Sequence, residues 1–379
     1  MLPYLSLHSI NAPYEDQIRK ALSDVIDSGW YLHGSRVEAF EAEWARYCQS
    51  DYCASCGNGL DALRLVLMSW IEMGYVQKGD EVIVPSNTFI ATVLAVSQSG
   101  LKPVFVEPDP HTCLIDPNRV SEAITPRTRV IIPVHLYGQV CDLASIFNIA
   151  RSNKLLVLED CAQCHGVDFG DFARDGIYTY LPKYAHARAW SFYPGKNLGA
   201  LGDAGAVTTC DSALAEMVRS IGNYGSNEKY IHNVQGLNSR MDEFQAAVLL
   251  AKLPDLDRCN SRRIEIANRY FTEINNPQIS MSEIRTNSVF HIFPIFVDSP
   301  DSSDPQSSRN RLQARLLECG IQTQIHYPIP PHRQRAYLSD FGHLSLPIAD
   351  HLADTELSLP CNQSMTDDEV SFIIKSLNH

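Results

Sequence analysis

No stretch of this chain approaches the roughly 20 consecutive apolar residues of a membrane-spanning helix, which excludes that class of membrane protein. Positive charge is also short. Lysine and arginine total 31 against 44 aspartates and glutamates, a net charge of −13, so nucleic acid is not the expected partner. Internal repeats and low-complexity tracts are missing, which excludes solenoids and disordered tails. The first residues, LPYLSLHSINAPY, lack the basic start, apolar run and small-residue cleavage site of a signal peptide. A cytoplasmic location with reduced thiols is therefore expected. The eleven cysteines, an odd number spread over 379 residues, do not form a secreted disulfide framework. Two close pairs, Cys53/Cys56 and Cys161/Cys164, sit beside apolar segments with no third ligand in pattern. Packing is expected there rather than zinc, and no metal is assigned.

What the chain does have is alternation. Short apolar runs at Glu81–Val84, Pro103–Val106, Val130–Val134 and Leu155–Leu158 read as strands. Helix-length stretches at Leu60–Met73, Thr88–Ser97, Pro117–Ala123 and Leu143–Ser152 lie between them. This βα repeat predicts an α/β fold with a mostly parallel central sheet covered by helices on both faces, and Gly205–Thr209 adds a strand. From about Leu253 the pattern changes. Helices are expected over Arg262–Ile274, Arg309–Glu318 and Asp367–Leu377, with a strand over Phe290–Val297. The expected division is a large domain over residues 1–252 and a smaller C-terminal α/β domain over 253–379.

Several phrases carry possible chemistry. In Ser191-Phe-Tyr-Pro-Gly-Lys196-Asn-Leu-Gly199 a lysine stands between glycines, close to a strand. A lysine so placed can reach a cleft and form a Schiff base with a carbonyl, pyridoxal phosphate being the commonest resident one. A plain surface lysine would give the same phrase. In LLVLEDCAQ, Asp160 stands just past an apolar strand, where a carboxylate can oppose a pyridinium nitrogen. A helix-capping aspartate is the alternative. Ser55-Cys-Gly57-Asn58-Gly59 runs straight into an amphipathic helix, whose free N–H groups can bind phosphate. The Ser191 hydroxyl offers a second phosphate contact. Phe89, in PSNTFIAT, could stack on a flat ring or fill a core. Asn238 and Arg240, in GLNSRMDEFQAA, precede a helix and could reach anionic groups.

NGLDAL, PSNTFIAT, PVHLYGQ, EDCAQ, SFYPGKNLGALGD and GLNSRMDEFQAA occur together and in order. The chain thereby resembles the DegT/DnrJ/EryC1/StrS group of pyridoxal-phosphate sugar aminotransferases, over nearly its whole length. The resemblance implies the aspartate aminotransferase fold, known as fold type I. It implies that Lys196 carries the pyridoxal group and acts as acid–base, with Asp160 as the pyridinium partner. Gln163 would lie near the ring oxygen, Phe89 would stack, and Gly57, Asn58 and Ser191 would cradle the phosphate. Asn238 would reach the cofactor of a neighbouring subunit, which implies a homodimer with composite sites. IHYPIPPH, holding His326 and Tyr327, resembles the subgroup acting at C3 of nucleotide-linked 3-keto-6-deoxyhexoses. The implied substrates are a dTDP-linked keto sugar and L-glutamate.

One segment departs from the group. Residues 170–188 run longer than usual and hold Tyr178, Tyr180 and Tyr184, with His186 and Arg188 just ahead of the strand that bears Ser191. Rings and positive charge there make Tyr184 and Arg188 candidate substrate contacts. Transfer to C4 or to a cyclitol ketone is the alternative activity. A non-catalytic relative is disfavoured by the retained lysine, aspartate and glutamine. A dehydratase, in which histidine replaces the lysine, is disfavoured by Lys196.

Overall fold

The computed structural model describes residues 1–172, 180–300 and 303–379. Seven strands form the main sheet: β1 (Tyr52–Cys56), β2 (Glu81–Pro85), β3 (Lys102–Val106), β4 (Thr128–Ile131), β5 (Leu156–Asp160), β6 (His186–Ser191) and β7 (Gly205–Thr209). Their order is β1-β7-β6-β5-β4-β2-β3. The run from β6 to β3 is parallel, and β7 is antiparallel to both its neighbours. Near-continuous apolar runs such as EVIVP fit strands covered on both faces. The core behind them is built around Trp44, Trp70, Trp190, Phe40 and Phe192, all buried.

The helices start where short polar side chains can take their free N–H groups. Asn58 caps the Gly59–Glu72 helix by accepting from the Asp61 N–H. Asp142 and Asp211 cap Leu143–Asn153 and Ser212–Gly222 in the same way. A capping box of Thr366 and Glu369 opens Asp367–Asn378.

Three antiparallel strands make the second sheet: β8 (Ser280–Met281), β9 (Phe293–Phe296) and β10 (Glu356–Leu359), in the order β10-β9-β8. The Leu256–Glu273, Ser307–Glu318 and Asp367–Asn378 helices accompany it, around a core of Tyr270, Phe293, Ile295, Leu357, Leu359 and Ile373. The amino-terminal end of the chain joins this unit, through a bridge between Leu2 and Ile321.

Two expected strands are shorter in the structure. β4 stops at Ile131 because Pro133 has no N–H to give; Val134 adds one further bridge, to Asp160. The strand expected from Phe290 begins at Phe293, since Phe290 takes a positive φ of 43° that breaks the extended run. Among the described residues, no helix is long and apolar enough to cross a membrane.

Candidate active site

Parallel strands deliver their functional groups beyond their carboxyl ends, and here β5 and β6 do so side by side. Asp160 is the last residue of β5 and pairs in register with Ala189. Its carboxylate accepts from the Thr92 hydroxyl at 2.8 Å and from the Ala162 N–H at 3.1 Å. Burial pushes its pKa up; those two hydrogen bonds and the nearby Lys196 charge pull it back. Three residues after Asp160, Gln163 is fixed at both ends. Its Oε1 accepts from the Tyr137 N–H at 2.6 Å and its Nε2 donates to the Tyr327 hydroxyl at 3.1 Å.

Lys196 follows β6 in a loop whose ends are tied together. Phe192 N–H donates to the Ala204 carbonyl, Ala200 N–H to that of Phe192, and Lys196 N–H to that of Tyr193. Its neighbour Asn197 is buried and clamped by Asn260, the Val289 carbonyl and His291. Lys196 therefore sits on a rigid mount. Desolvation lowers its pKa to about 8, even though Asp160 and Cys164 raise it. Roughly a tenth of this amine is then unprotonated at pH 7, far more than in an ordinary lysine.

The amino end of the Gly59–Glu72 helix closes one side. A Cβ on Gly59 would stand 2.5 Å from the Ser191 Cβ, so only glycine lets Ser191 sit against the helix start. There the first N–H groups of the helix have no acceptor within it. The Asn58 side chain is occupied as the cap, and the Gly57 N–H donates to the Ser239 hydroxyl at 3.0 Å. Phe89 is half exposed, and its ring lies 5.2 Å from that of Tyr327. Tyr327 and His326 come from the C-terminal unit, with the His326 carbonyl held by the Tyr137 hydroxyl at 2.7 Å.

Residues 13–378 match the DegT/DnrJ/EryC1/StrS aminotransferase family. The chain belongs to that family. It is 46% identical to the dTDP-3-amino-3,6-dideoxy-alpha-D-galactopyranose transaminase of Aneurinibacillus thermoaerophilus, covering 100% of this chain and 99% of the relative. The solved structure of S. venezuelae DesV superposes with a TM-score of 0.90 at 39% identity, covering 100% of this chain and 97% of that one. That of Bacillus subtilis NtdA, with bound cofactor PMP, gives 0.88 at 32% identity, covering 99% and 84%.

The protein is therefore an aminotransferase of fold type I, and pyridoxal 5′-phosphate is its cofactor. The residues present fit that group. A desolvated lysine, a buried carboxylate, a half-exposed aromatic face and a helix start opened by Gly57 and Gly59 converge on one place. Sequence reading passed over three supports of this family site: Thr92, which holds Asp160; Tyr137, which ties Gln163 to His326; and Asn197, which anchors the lysine loop. Each lies inside a motif already quoted, so a polar residue within one of those motifs was the available signal.

Not every candidate converges. Arg188, expected as a substrate contact in a loop, lies with His186 inside β6 and is buried. Its Nε donates to Glu159 at 3.0 Å and its Nη2 to the Phe172 carbonyl at 2.6 Å, while its guanidinium covers the Phe169 ring at 4.0 Å. Interior pairing has replaced any exposed role. Tyr184 precedes β6 and stands at the end of that strand opposite Ser191, roughly 20 Å away along it. It stacks on Tyr75, with ring centroids 4.8 Å apart. Tyr178 lies outside the described residues. Asn238 is exposed and bridges to Asn223. His135, Cys161 and Cys164 cluster with ligand atoms within 4.8 Å. Both His135 nitrogens are already engaged, Nε2 by Glu159 at 2.7 Å and Nδ1 by the Cys141 N–H at 3.1 Å, so the ring has no lone pair for a metal.

Proposed function

We propose that the protein moves the amino group of L-glutamate to C3 of a dTDP-3-keto-6-deoxyhexose, giving a dTDP-3-amino-3,6-dideoxyhexose, and that it does so as a homodimer with shared sites. The carrying observation is the Asp160–Lys196 pair placed beside the His326–Tyr327 segment, in a chain nearly half identical to a transaminase named for a dTDP-3-amino sugar. When bound, pyridoxal phosphate supplies a carbonyl for amino groups and a sink for the electrons of the adjacent C–H bond. Lys196 Nζ would hold that carbonyl at rest and, once freed, would take up and give back the proton of the substrate carbon. Asp160 would hold a negative charge for the ring nitrogen, its direction fixed by Thr92 and the Ala162 N–H. Phe89 would cover the ring, and Ser191 with the Gly59 helix start would hold the phosphate. His326 and Tyr327 orient the keto sugar, which is where positioning is worth most in rate.

A panel of dTDP-linked 3-keto and 4-keto sugars with glutamate, read by the mass of the aminated product, tests the regiochemistry. Preferential amination of the 4-keto sugar rejects the C3 reading. Shared sites are tested by mixing Lys196→Ala with Asn238→Asp chains. A mixed dimer should concentrate both defects in one site and leave the other intact, so activity returns. Verified mixed dimers that stay inactive reject that arrangement.

A further inference from the structure

His326 is gripped at two points by groups that the reaction described above does not use. Glu356 and Ser358 are two apart on β10 and face the same side, towards residues 324–327. Ser358 exchanges backbone hydrogen bonds with Gln324. The His326 N–H donates to Glu356 Oε2 at 2.5 Å, and His326 Nδ1 meets the Ser358 hydroxyl at 2.8 Å. The same hydroxyl contacts Glu356 Oε1, completing a carboxyl–hydroxyl–imidazole chain. His326 Nε2 makes no hydrogen bond among the described residues.

We propose that Glu356 and Ser358 form a proton relay that decides whether His326 Nε2 offers a donor or an acceptor to the keto sugar. This rests on the reading that His326 faces that substrate. The imidazole is neutral: burial and the Lys196 charge lower its pKa to about 4. A neutral imidazole has one N–H, and its position is set by the partner of the other nitrogen. With Glu356 protonated, Oε1–H donates to Ser358 Oγ, Ser358 O–H donates to Nδ1, and Nε2 carries the hydrogen. With Glu356 ionised, Ser358 O–H turns to the carboxylate, Nδ1–H donates to Ser358, and Nε2 is bare. The two states differ by one proton. Moving it breaks the Oε1–H, Oγ–H and Nε2–H bonds, forms Oγ–H and Nδ1–H, and delivers a proton from Nε2 to an oxygen in the cleft; water restores it.

The surroundings let Glu356 act this way. Burial raises its pKa to about 8, against the pull of Ser358, the His326 N–H and Arg309. Arg309 spends its Nη1 on the Ala353 and Glu356 carbonyls and its Nε on Asn310, with Asp354 beside it, and so makes no ion pair with the carboxyl group. Tyr4, Cys113, Tyr137 and Tyr327 also face Glu356, and burial pushes all four upward, so they stay uncharged near neutrality.

The test is nitrogen NMR of the holoenzyme labelled with ¹⁵N-histidine, assigned with His326→Gln. His326 should be the Nε2–H tautomer below about pH 8 and the Nδ1–H tautomer above it. Glu356→Gln, whose amide imitates the protonated acid, should stay Nε2–H throughout. Ser358→Ala should lose the pH response. In single turnovers with the keto sugar, the quotient of wild-type over Glu356→Gln rates cancels the titration of Lys196. It should fall about tenfold above pH 8, the scale of one substrate hydrogen bond lost; the glutamate half-reaction shows no such fall. A wild-type tautomer that ignores pH, or a Glu356→Gln protein that still switches, overturns the relay. A spectral switch with a flat keto-sugar quotient overturns the placement of His326 against the sugar.

Discussion

Glu159 and Asp160 are adjacent carboxylates on one strand, and the sheet turns them to opposite faces. Glu159 faces a closed interior. His135, His186 and Arg188 all bond to it, and although burial alone would raise its pKa, Arg188 and the two histidines hold it well below the ordinary carboxylate range. Asp160 receives two neutral donors, and burial leaves its pKa raised. One side is saturated and structural. The other is left short of positive charge, which is the condition a pyridinium nitrogen would satisfy. A buried charge with all its partners supports the fold, whereas one that lacks a cation is where a cationic group belongs.

The largest effect expected is at Lys196, the cation nearest the open side. Lys196→Ala should lower both half-reactions by roughly 10⁴-fold or more, since proton carrier and carbonyl partner go together. Borohydride should label the peptide holding Lys196 in the parent protein, and nothing in the variant. Label on Lys183 would overturn the assignment.

The comparison itself is broken by two isosteric changes. Asp160→Asn should keep cofactor and fold while slowing transamination by roughly 10²–10³-fold, because the amide carries no charge. Glu159→Gln should do the reverse. It leaves Arg188 buried beside a neutral amide and should cost about 3 kcal/mol of stability, read by denaturant titration, with the folded fraction still turning over. If both variants lost activity equally at full stability, the distinction between the two faces would fail.

A smaller effect follows from the lowered pKa of Lys196. In the half-reaction where this lysine starts free and must accept a proton, rates should climb by up to about tenfold per pH unit below pH 8 and level off above it. Asp160 raises that pKa, so Asp160→Asn should move the inflection to lower pH. An inflection that stays fixed would mean the two groups do not sense each other.

The open face was legible because its chemistry is local. Lys196 sits among glycines, and Asp160 at the end of an apolar run, so residue type and position pointed the same way. The closed face was not. Arg188 and His186 alternate with Ala187 and Ala189 in HARAWS, which reads equally well as a polar loop or a buried strand. Only the partner 29 residues earlier, Glu159 in register across β5 and β6, makes it a strand. The His326 anchors are likewise 30 and 32 residues away, and no spacing announces them. The β4 boundary was misjudged for a different reason. Val134 is apolar and buried like a strand residue, yet Pro133 ends the ladder before it.

The smallest effect expected is at Tyr184, and it separates the two ends of β6. Sequence position alone put this ring beside the substrate. The fold puts it at the amino end of the strand, where it stacks on Tyr75 with the rings 16° apart and its carbonyl accepts from the Trp70 indole at 3.0 Å. The carbonyl contact survives any side-chain change. Tyr184→Ala should therefore lose only the stack, about 1 kcal/mol of stability, and alter kcat/KM for the keto sugar by less than about twofold. Tyr327→Phe removes the hydroxyl that accepts from Gln163 in the cleft, and should impair the keto-sugar half-reaction more than the glutamate one. A rise in KM for the sugar in Tyr184→Ala as large as that in Tyr327→Phe would mean that Tyr184 reaches a substrate after all, across a subunit boundary rather than along its own strand.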